Sequence, residues 1–218
     1  DCFHTKLVTT SHISKIPGSI HIDFKEATAM EDAKKIVRLA IEQYKNRNHE
    51  AVRIPRYKKQ VVGGFSLEAM KDLFGKINPE APFKVLTDAI LSGQIKGVCA
   101  MVGCNNQRVV HDNSMLTIAK ELAKNNVFLV ATGCAAGAFA KAGLLSSEGV
   151  EAYAGEGLKK LIRDLEEKCS LNAGLPLVFH MGSCVDNSRI ANLWTELANE
   201  LDITVPQLPF VATAPEAM

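Results

Sequence analysis

Residues 127–137 read Val-Phe-Leu-Val-Ala-Thr-Gly-Cys-Ala-Ala-Gly, and this stretch decides the predicted fold. Its first four residues are apolar and either branched or aromatic, which is typical of a strand buried on both faces of a sheet. The Gly-Cys-Ala-Ala-Gly that follows is typical of a tight turn into a helix. We therefore predict that Cys134 lies at the carboxyl end of a central strand.

The same arrangement occurs twice more in the sequence. The apolar run 98–102 leads into Gly103-Cys104, and the run 177–181 leads into Gly182-Ser183-Cys184. Cys104 and Cys134 are about 30 residues apart, which is the length of one strand-helix-strand unit. In such α/β sheets ligands bind at the carboxyl ends of the strands. The sequence thus predicts an α/β fold, with a mostly parallel sheet between helices and three thiols at one edge of that sheet.

Length and composition exclude several classes of protein. With 218 residues and 47% hydrophobic content, the chain can bury a full core. Its net charge of +1 gives no basis for a nucleic-acid partner, and no window approaches the roughly 18 continuous apolar residues of a membrane span. We therefore expect a soluble, cytoplasmic protein. The chain opens at Asp1 without an initiator Met or a signal peptide and stops at Met218 without a closing helix, so we expect an internal to C-terminal fragment of a longer protein.

Helical and extended patterns divide the chain into two parts. Residues 20–24 alternate like a half-buried strand, and 28–45 keep the spacing of an amphipathic helix. A polar connector follows, and we place a domain boundary within 46–62. On this prediction residues 1–50 are the tail of one α/β unit, and residues 51–218 form the domain that carries the three cysteines.

Local signals mark several further helix and strand ends. Ser66 is predicted to begin a short helix. Asp186, Asn187 or Ser188 can cap the last helix of the chain. The extended run 203–210 contains two prolines, which fits an edge strand better than a central one.

The three thiols have the chemistry of metal ligands. Thiolates bind iron and zinc, but a structural zinc site usually takes closely spaced pairs such as Cys-x-x-Cys, which are absent here. Three separate glycine-cysteine turns instead indicate one iron-sulfur-type cluster assembled from distant parts of the chain. We interpret the glycines as room for an inorganic core beside the backbone. Cys99, inside a strand, and Cys169, near the end of a charged helix, are interpreted as structural.

The residues around these thiols form three longer motifs. They read Gly103-Cys104-Asn105-Asn106, Thr132-Gly133-Cys134-Ala135-Ala136-Gly137 and His180-Met181-Gly182-Ser183-Cys184-Val185-Asp186-Asn187-Ser188-Arg189. The motifs resemble the signatures of the anaerobic nickel-iron-sulfur carbon monoxide dehydrogenases, which are related to the hybrid-cluster (prismane) proteins. The opening Asp1-Cys2-Phe3-His4-Thr5-Lys6 and the turn Gly64-Phe65-Ser66 are similar to the same family. The resemblance covers essentially the whole chain.

This resemblance implies a fold and a reaction. Residues 1–50 would be the tail of one Rossmann-like domain, and residues 51–218 would form the next. The active site would be a Ni-4Fe-4S cluster that interconverts carbon monoxide and carbon dioxide. Electrons would pass through further 4Fe-4S clusters to a ferredoxin-like carrier, and the full-length protein would be a homodimer.

The resemblance also divides the site between this chain and its surroundings. It implies three ligands of the active cluster in this chain, namely Cys104, Cys134 and Cys184, and no catalytic residue. The remaining ligands would precede Asp1, and a lysine that assists the carbon dioxide chemistry would follow Met218. With half a ligand set, the isolated fragment would be inactive.

Two other functions fit the same sequence. A hybrid-cluster hydroxylamine reductase is similar in fold and cysteine placement, although the Asn105-Asn106 pair favours the dehydrogenase. A non-enzymatic nucleotide-binding or regulatory α/β domain would simply bury its thiols. Nickel content separates the first alternative from the dehydrogenase, and cysteine replacement separates the second.

Overall fold

The computed structural model describes residues 6–10, 15–54, 56, 58–170 and 174–217. The described residues up to 56 form one compact unit, and those from Lys58 onward form a second, larger one. Residues 1–5, which make up most of the opening motif, lie outside the described residues. No helix in the described ranges has the length and apolar character needed to cross a membrane.

The first unit contains two short strands and one long helix. Strands β1 (Val8–Thr10) and β2 (Ile20–Ile22) pair in parallel, and helix α1 spans Ala29–Tyr44. The predicted helix 28–45 is confirmed, whereas the predicted strand 20–24 ends two residues early. Strand β1 has no sequence signal, because three residues are too few to show a period. That residues 1–50 belong to a preceding Rossmann-like domain stays a prediction.

The second unit is built on a parallel sheet with the strand order β5-β4-β3-β6. The strands are β3 (Gly97–Met101), β4 (Val127–Thr132), β5 (Val178–Gly182) and β6 (Phe210–Thr213). Every residue of β3 is buried, and so is every residue of β4 after Val127, as expected for strands covered on both faces. The predicted α/β fold, with a parallel sheet and helices on both faces, is confirmed.

Helices precede the first of these strands and connect each strand to the next, as a parallel sheet requires. They are α2 (Leu67–Gly75), α3 (Lys84–Leu91), α4 (Asn113–Lys124), α5 (Gly133–Ala142), α6 (Ser147–Tyr153), α7 (Glu156–Lys168) and α8 (Asn187–Leu201). Helix α2 begins as predicted, because the Ser66 hydroxyl oxygen accepts a hydrogen bond from the backbone N–H of Ala69 at 3.2 Å. The sequence gives no separate signal for α6, which is only two turns long.

Aromatic side chains fill the centre of this unit. The Phe179 ring on β5 is fully buried, and its centroid lies 4.7 Å from that of Phe128 on β4. The Phe65 ring, from the segment that precedes α2, lies 4.5 Å from the Phe179 ring. These ring contacts therefore join β4, β5 and the segment before α2 inside the core.

Two cysteines belong to this core, as predicted. Cys99 on β3 has no exposed surface, and burial raises the pKa of its thiol to about 11. Cys169, which follows α7, is also buried, and its Sγ donates to the carbonyl oxygen of Leu73 at 3.3 Å. The structural interpretation of both residues is confirmed.

The last part of the chain differs from its prediction. The run 203–210 is not one extended strand, because residues Val205–Gln207 form a 3-10 turn. Strand β6 begins only at Phe210, after the second proline, since proline cannot donate a hydrogen bond to the ladder. It does lie at the edge of the sheet, paired with β3.

Candidate metal centre

The three predicted ligands follow three adjacent strands. Cys104 comes three residues after β3, Cys134 is the second residue of α5 directly after β4, and Cys184 follows β5. Because β3, β4 and β5 are neighbours and parallel, their carboxyl ends lie at one edge of the sheet. Neighbouring strands are about 4.8 Å apart, so the outer two of the three lie roughly 10 Å from each other. The predicted placement at one edge is confirmed.

These three cysteines differ in exposure from the two others that the structure describes. Cys104, Cys134 and Cys184 are free and exposed, whereas Cys99 and Cys169 are buried. An ordinary packing cysteine is among the most buried of residues. Their exposure thus sets these three thiols apart from packing cysteines, and their role as metal ligands stays a prediction.

The turns before Cys134 and Cys184 are in direct contact. Gly133 has φ +59°, and a Cβ at this position would lie 3.3 Å from the Cβ of Cys184. The absent side chain thus leaves room for the neighbouring cysteine. This corrects the interpretation that the glycines leave room for an inorganic core, because the space beside Gly133 is filled by protein.

Asp186 holds the turn that carries Cys184. The residues Cys184–Asp186 form a 3-10 turn, and Asp186 Oδ2 accepts from the backbone N–H of Ser183 at 2.7 Å and from its hydroxyl at 3.1 Å. The carboxylate therefore closes this short turn and does not cap α8 with its side chain, as the sequence suggested it could. Cys184 is the first residue of the closed turn.

A second contact joins the Cys134 and Cys184 segments. The hydroxyl of Thr132, fully buried at the end of β4, hydrogen-bonds to Oδ1 of Asn187 at the start of α8. Thr132 stands two residues before Cys134, and Asn187 three residues after Cys184. This hydrogen bond thus joins the segment before Cys134 to the segment after Cys184.

An ion pair then ties the Cys184 turn to α2. The Arg189 guanidinium on α8 hydrogen-bonds to both carboxylate oxygens of Glu68, and its Nε lies 3.6 Å from Oδ1 of Asp186. The hydrogen bonds from Arg189 lower the pKa of Glu68 to about 2. Sequence reasoning missed Glu68, because nothing in a helix beginning at residue 67 indicates a partner more than a hundred residues away.

Two histidines near the edge have minor roles. His111 is largely exposed, as expected for a loop residue, although its Nε2 lies 3.3 Å from Oδ1 of Asp112. His180 is half-buried on β5, and its backbone carbonyl accepts from the N–H of Phe65 at 2.9 Å. Neither side chain joins the three cysteines.

The three thiols have the chemistry of iron-sulfur ligands. Among the described residues, no three His, Cys, Asp or Glu side chains come close enough together to hold one metal ion. The thiols of Cys104, Cys134 and Cys184 also make no hydrogen bond within the described ranges. Exposed cysteine thiols without a partner are the donors that iron-sulfur clusters take. That all three bind one cluster stays a prediction.

The fold and the edge thus define a class, an α/β domain that presents three exposed cysteine thiols at the carboxyl edge of a parallel sheet. Comparison with known sequences gives the family. The profile of the Prismane/CO dehydrogenase family matches residues 1–218, and the chain belongs to that family. The resemblance inferred from the three motifs is confirmed.

Individual relatives agree with this assignment. The chain is 52% identical over 218 residues to "Carbon monoxide dehydrogenase 1" of Carboxydothermus hydrogenoformans, covering all of this chain and 34% of that protein. It is also similar to the solved structure of carbon monoxide dehydrogenase IV from the same organism, with a TM-score of 0.86, 50% identity and coverage of 100% and 34%.

The description of a second similar structure names metal clusters. It is presented as "NiZn[Fe4S4] and NiNi[Fe4S4] clusters in closed and open alpha subunits of acetyl-CoA synthase/carbon monoxide dehydrogenase", and it matches with a TM-score of 0.88 and 51% identity over 100% of this chain and 32% of that one. The chain spans about a third of the length of the curated relatives that it matches.

Proposed function

We propose that the chain is the part of a carbon monoxide dehydrogenase that supplies Cys104, Cys134 and Cys184 to the active nickel-iron-sulfur cluster. The full-length enzyme would catalyse CO + H2O = CO2 + 2H+ + 2e−, and a ferredoxin-like carrier would take the two electrons. The observation that carries this proposal is the placement of three exposed thiols at the ends of three adjacent parallel strands.

The residues of this chain have a binding and orienting role in that reaction. When bound, the cluster supplies the metal site at which carbon monoxide is oxidised and which accepts the two electrons. The three thiolates hold one side of it, and the Ser183–Asp186 turn and the Thr132–Asn187 hydrogen bond keep two of the thiols in fixed relation. Rigid support of this kind is what a metal site requires from the residues around its ligands.

The relatives support nickel and iron as the metals. The solved structure with a TM-score of 0.88 is described with nickel and [Fe4S4] clusters in its alpha subunits. Another, with a TM-score of 0.81 and 43% identity, is described as a nickel-free form of a carbon monoxide dehydrogenase, which implies that this dehydrogenase normally holds nickel. The curated relatives at 45% to 52% identity are all named carbon monoxide dehydrogenases or a subunit of a carbon monoxide dehydrogenase/acetyl-CoA synthase. These names favour the dehydrogenase over the hydroxylamine reductase.

Metal analysis of cysteine variants tests the ligand assignment. In the full-length polypeptide that carries this chain, purified without oxygen, we expect Cys104→Ser, Cys134→Ser and Cys184→Ser each to lower bound nickel and iron and to abolish carbon monoxide oxidation. The matched control is Cys169→Ser, because serine preserves the hydrogen bond to Leu73 in a buried site. The control is expected to retain the metal content and the activity of the parent.

Each alternative function predicts a different result. Iron without nickel in the parent protein would indicate a hybrid-cluster hydroxylamine reductase. Metal content that none of the three edge variants changes would indicate a binding domain without a cluster. The isolated 218-residue chain is expected to oxidise no carbon monoxide, since it contributes three ligands only; turnover by the verified chain would contradict the proposed division of the site.

The surroundings of the enzyme follow from the same proposal. We expect a cytoplasmic homodimer with further 4Fe-4S clusters outside this chain, which would pass the electrons to the carrier. The molecular mass of the full-length protein from sedimentation tests the dimer. The rate at which the protein reduces a ferredoxin with carbon monoxide tests the electron transfer. A monomer that reduces ferredoxin at the full rate would remove the dimer from the proposal.

A further inference from the structure

Cys104 is the only one of the three edge cysteines that stands in a long loop. Residues 102–112 connect β3 to α4 without a helix or strand of their own, whereas Cys134 lies within α5 and Cys184 within a 3-10 turn. A loop of this length does not fix the position of a thiol by itself. Some other part of the molecule must therefore hold Cys104.

The side chain of Glu216 is in contact with both ends of this loop. Its Oε2 accepts from the side-chain amide of Asn105 at 3.2 Å and from the backbone N–H of Asp112 at 3.3 Å. Its Oε1 accepts from the backbone N–H of Ser114 at 3.1 Å, in the first turn of α4. Glu216 is only 2% exposed, so both carboxylate oxygens are used inside the protein.

The hydrogen bonds suit an ionised carboxylate. Burial opposes the ionisation of Glu216, but the hydrogen bonds from Asn105, Ser114 and Asp112 outweigh it and hold the pKa of Glu216 below its ordinary value. The amino end of α4 also favours a negative charge at this position. An ionised Glu216 thus replaces the missing hydrogen-bond partners of the first turn of α4.

The backbone around Glu216 is in contact with the residue before Cys104. Gly103 has φ +93°, and a Cβ there would lie 2.8 Å from the Cβ of Ala214 and 3.1 Å from that of Ala217. The N–H of Val102 also donates to the carbonyl of Thr213 at 2.9 Å. The turn 214–217 therefore lies against the first residues of the loop, while Glu216 holds its far end.

Asp112 extends the contact to the next cysteine-bearing element. Its Oδ1 accepts from the side-chain amide of Asn105 at 2.6 Å, and its Oδ2 forms an ion pair with Lys141 on α5. Asp112 is buried and adopts a left-handed conformation at φ +65°. Asn105, directly after Cys104, thus lies between two buried carboxylates.

We propose that Glu216 is the positioning residue for Cys104, because its carboxylate joins Asn105 to the start of α4 and so fixes the loop 103–112. This inference rests on the proposed function, in which Cys104 is a ligand of the cluster. It predicts that removal of the carboxylate frees the loop first and disturbs the cluster as a consequence. Cys134 and Cys184 keep their own supports and stay in place.

Hydrogen exchange measures the first step. In Glu216→Ala we expect the backbone amides of residues 103–114 to exchange about tenfold faster or more, since hydrogen bonds to a charged acceptor are lost. Peptides from β4 and β5 are expected to exchange as in the parent. The control is Glu151→Gln, which removes the charge of an exposed carboxylate paired with Arg163 between α6 and α7, outside this loop. It should leave the loop unchanged.

Cluster spectroscopy on the full-length polypeptide measures the second step. We expect Glu216→Ala to lower bound nickel and to shift or broaden the electron paramagnetic resonance signal of the active cluster, and Glu151→Gln to leave both unchanged. Glu216→Gln keeps one acceptor oxygen in the same place, so it should restore part of the nickel content and the signal. This variant also keeps the test valid if the alanine variant does not fold.

The possible results separate this inference from the proposed function. Faster loop exchange with an unchanged cluster signal would overturn the positioning role of Glu216, and unchanged loop exchange would overturn it as well. If Cys104→Ser leaves the nickel content and signal unchanged, Cys104 is not a ligand and both proposals fail. A loosened loop with a disturbed signal in Glu216→Ala, partly restored in Glu216→Gln, supports the inference.

Discussion

Substitution of Gly103 by alanine tests how closely the end of the chain packs against the Cys104 loop. At φ +93° an alanine is strained by roughly 1–2 kcal/mol, the usual cost of placing a residue with a Cβ in a left-handed conformation. The added Cβ would also lie 2.8 Å from the Cβ of Ala214, closer than carbon atoms pack. Relief of that overlap costs roughly another 1–3 kcal/mol. We therefore expect Gly103→Ala to lower the free energy of unfolding by about 2–5 kcal/mol.

The matched control is Gly137→Ala in the same chain. Gly137 lies on the exposed side of α5, and no atom stands within 4 Å of the position that its Cβ would take. Alanine in an exposed helix is more favourable than glycine by roughly 0.5–1 kcal/mol, because glycine loses more backbone entropy on folding. The same chemical change is thus expected to stabilise the protein at one site and to destabilise it at the other.

Urea unfolding of the 218-residue chain, followed by far-ultraviolet circular dichroism, measures both variants against the parent. The difference between the two variants should be about 2.5–6 kcal/mol, a large part of the roughly 5–15 kcal/mol that holds a typical domain together. Free energies of unfolding within 0.5 kcal/mol of each other would refute the reasoning. That result would mean that the turn 214–217 does not lie against Gly103 in solution.

Three further predictions concern the core, the alkaline limit and a helix cap. Phe179→Ala should lower the free energy of unfolding by roughly 3–5 kcal/mol in urea, since this buried ring contacts two others; a loss below 1 kcal/mol would contradict the packing. Burial raises the pKa of the Cys99 thiol from about 9 in the unfolded chain to about 11 in the folded protein. This thiol should therefore leave the free energy of unfolding unchanged below pH 9 and lower it by up to about 3 kcal/mol as the pH rises to 11. Urea titrations in this range should show a smaller fall for Cys99→Ala, and equal falls would exclude the thiol as the cause. Ser66→Ala should cost roughly 1 kcal/mol through loss of the α2 cap, and Ser66→Asp, which can still accept the hydrogen bond, should cost less.

The elements that the sequence predicts well are those with a strong local pattern. The strands at 97–101 and 127–132 are almost wholly apolar, which follows from burial on both faces of a parallel sheet, and 178–182 is apolar apart from His180. The position of the thiols then follows from topology, since parallel strands end at a common edge. The short elements β1 and α6 have too few residues to show a period, so no local pattern indicates them.

The glycines show where local reasoning gives a wrong cause for a correct observation. Gly103 and Gly133 do occur at turns that need an unusual backbone, and both have positive φ. The reason inferred from sequence was space for a metal core, but the atoms beside them belong to Ala214 and Cys184. Which neighbour fills a glycine's open side depends on tertiary packing, and no local pattern records it.

The residues that hold the thiol-bearing segments in place differ in their sequence distance from those segments. This distance explains which of these residues the sequence could indicate. Asp186 acts within its own turn and stands in a motif that the sequence already singles out. Glu68 and Glu216 act on segments more than a hundred residues away, and each is an ordinary carboxylate in its local context. The ligands of the candidate centre are thus encoded locally, whereas their rigidity depends on long-range contacts. Variants that weaken those contacts should alter the cluster without touching a cysteine.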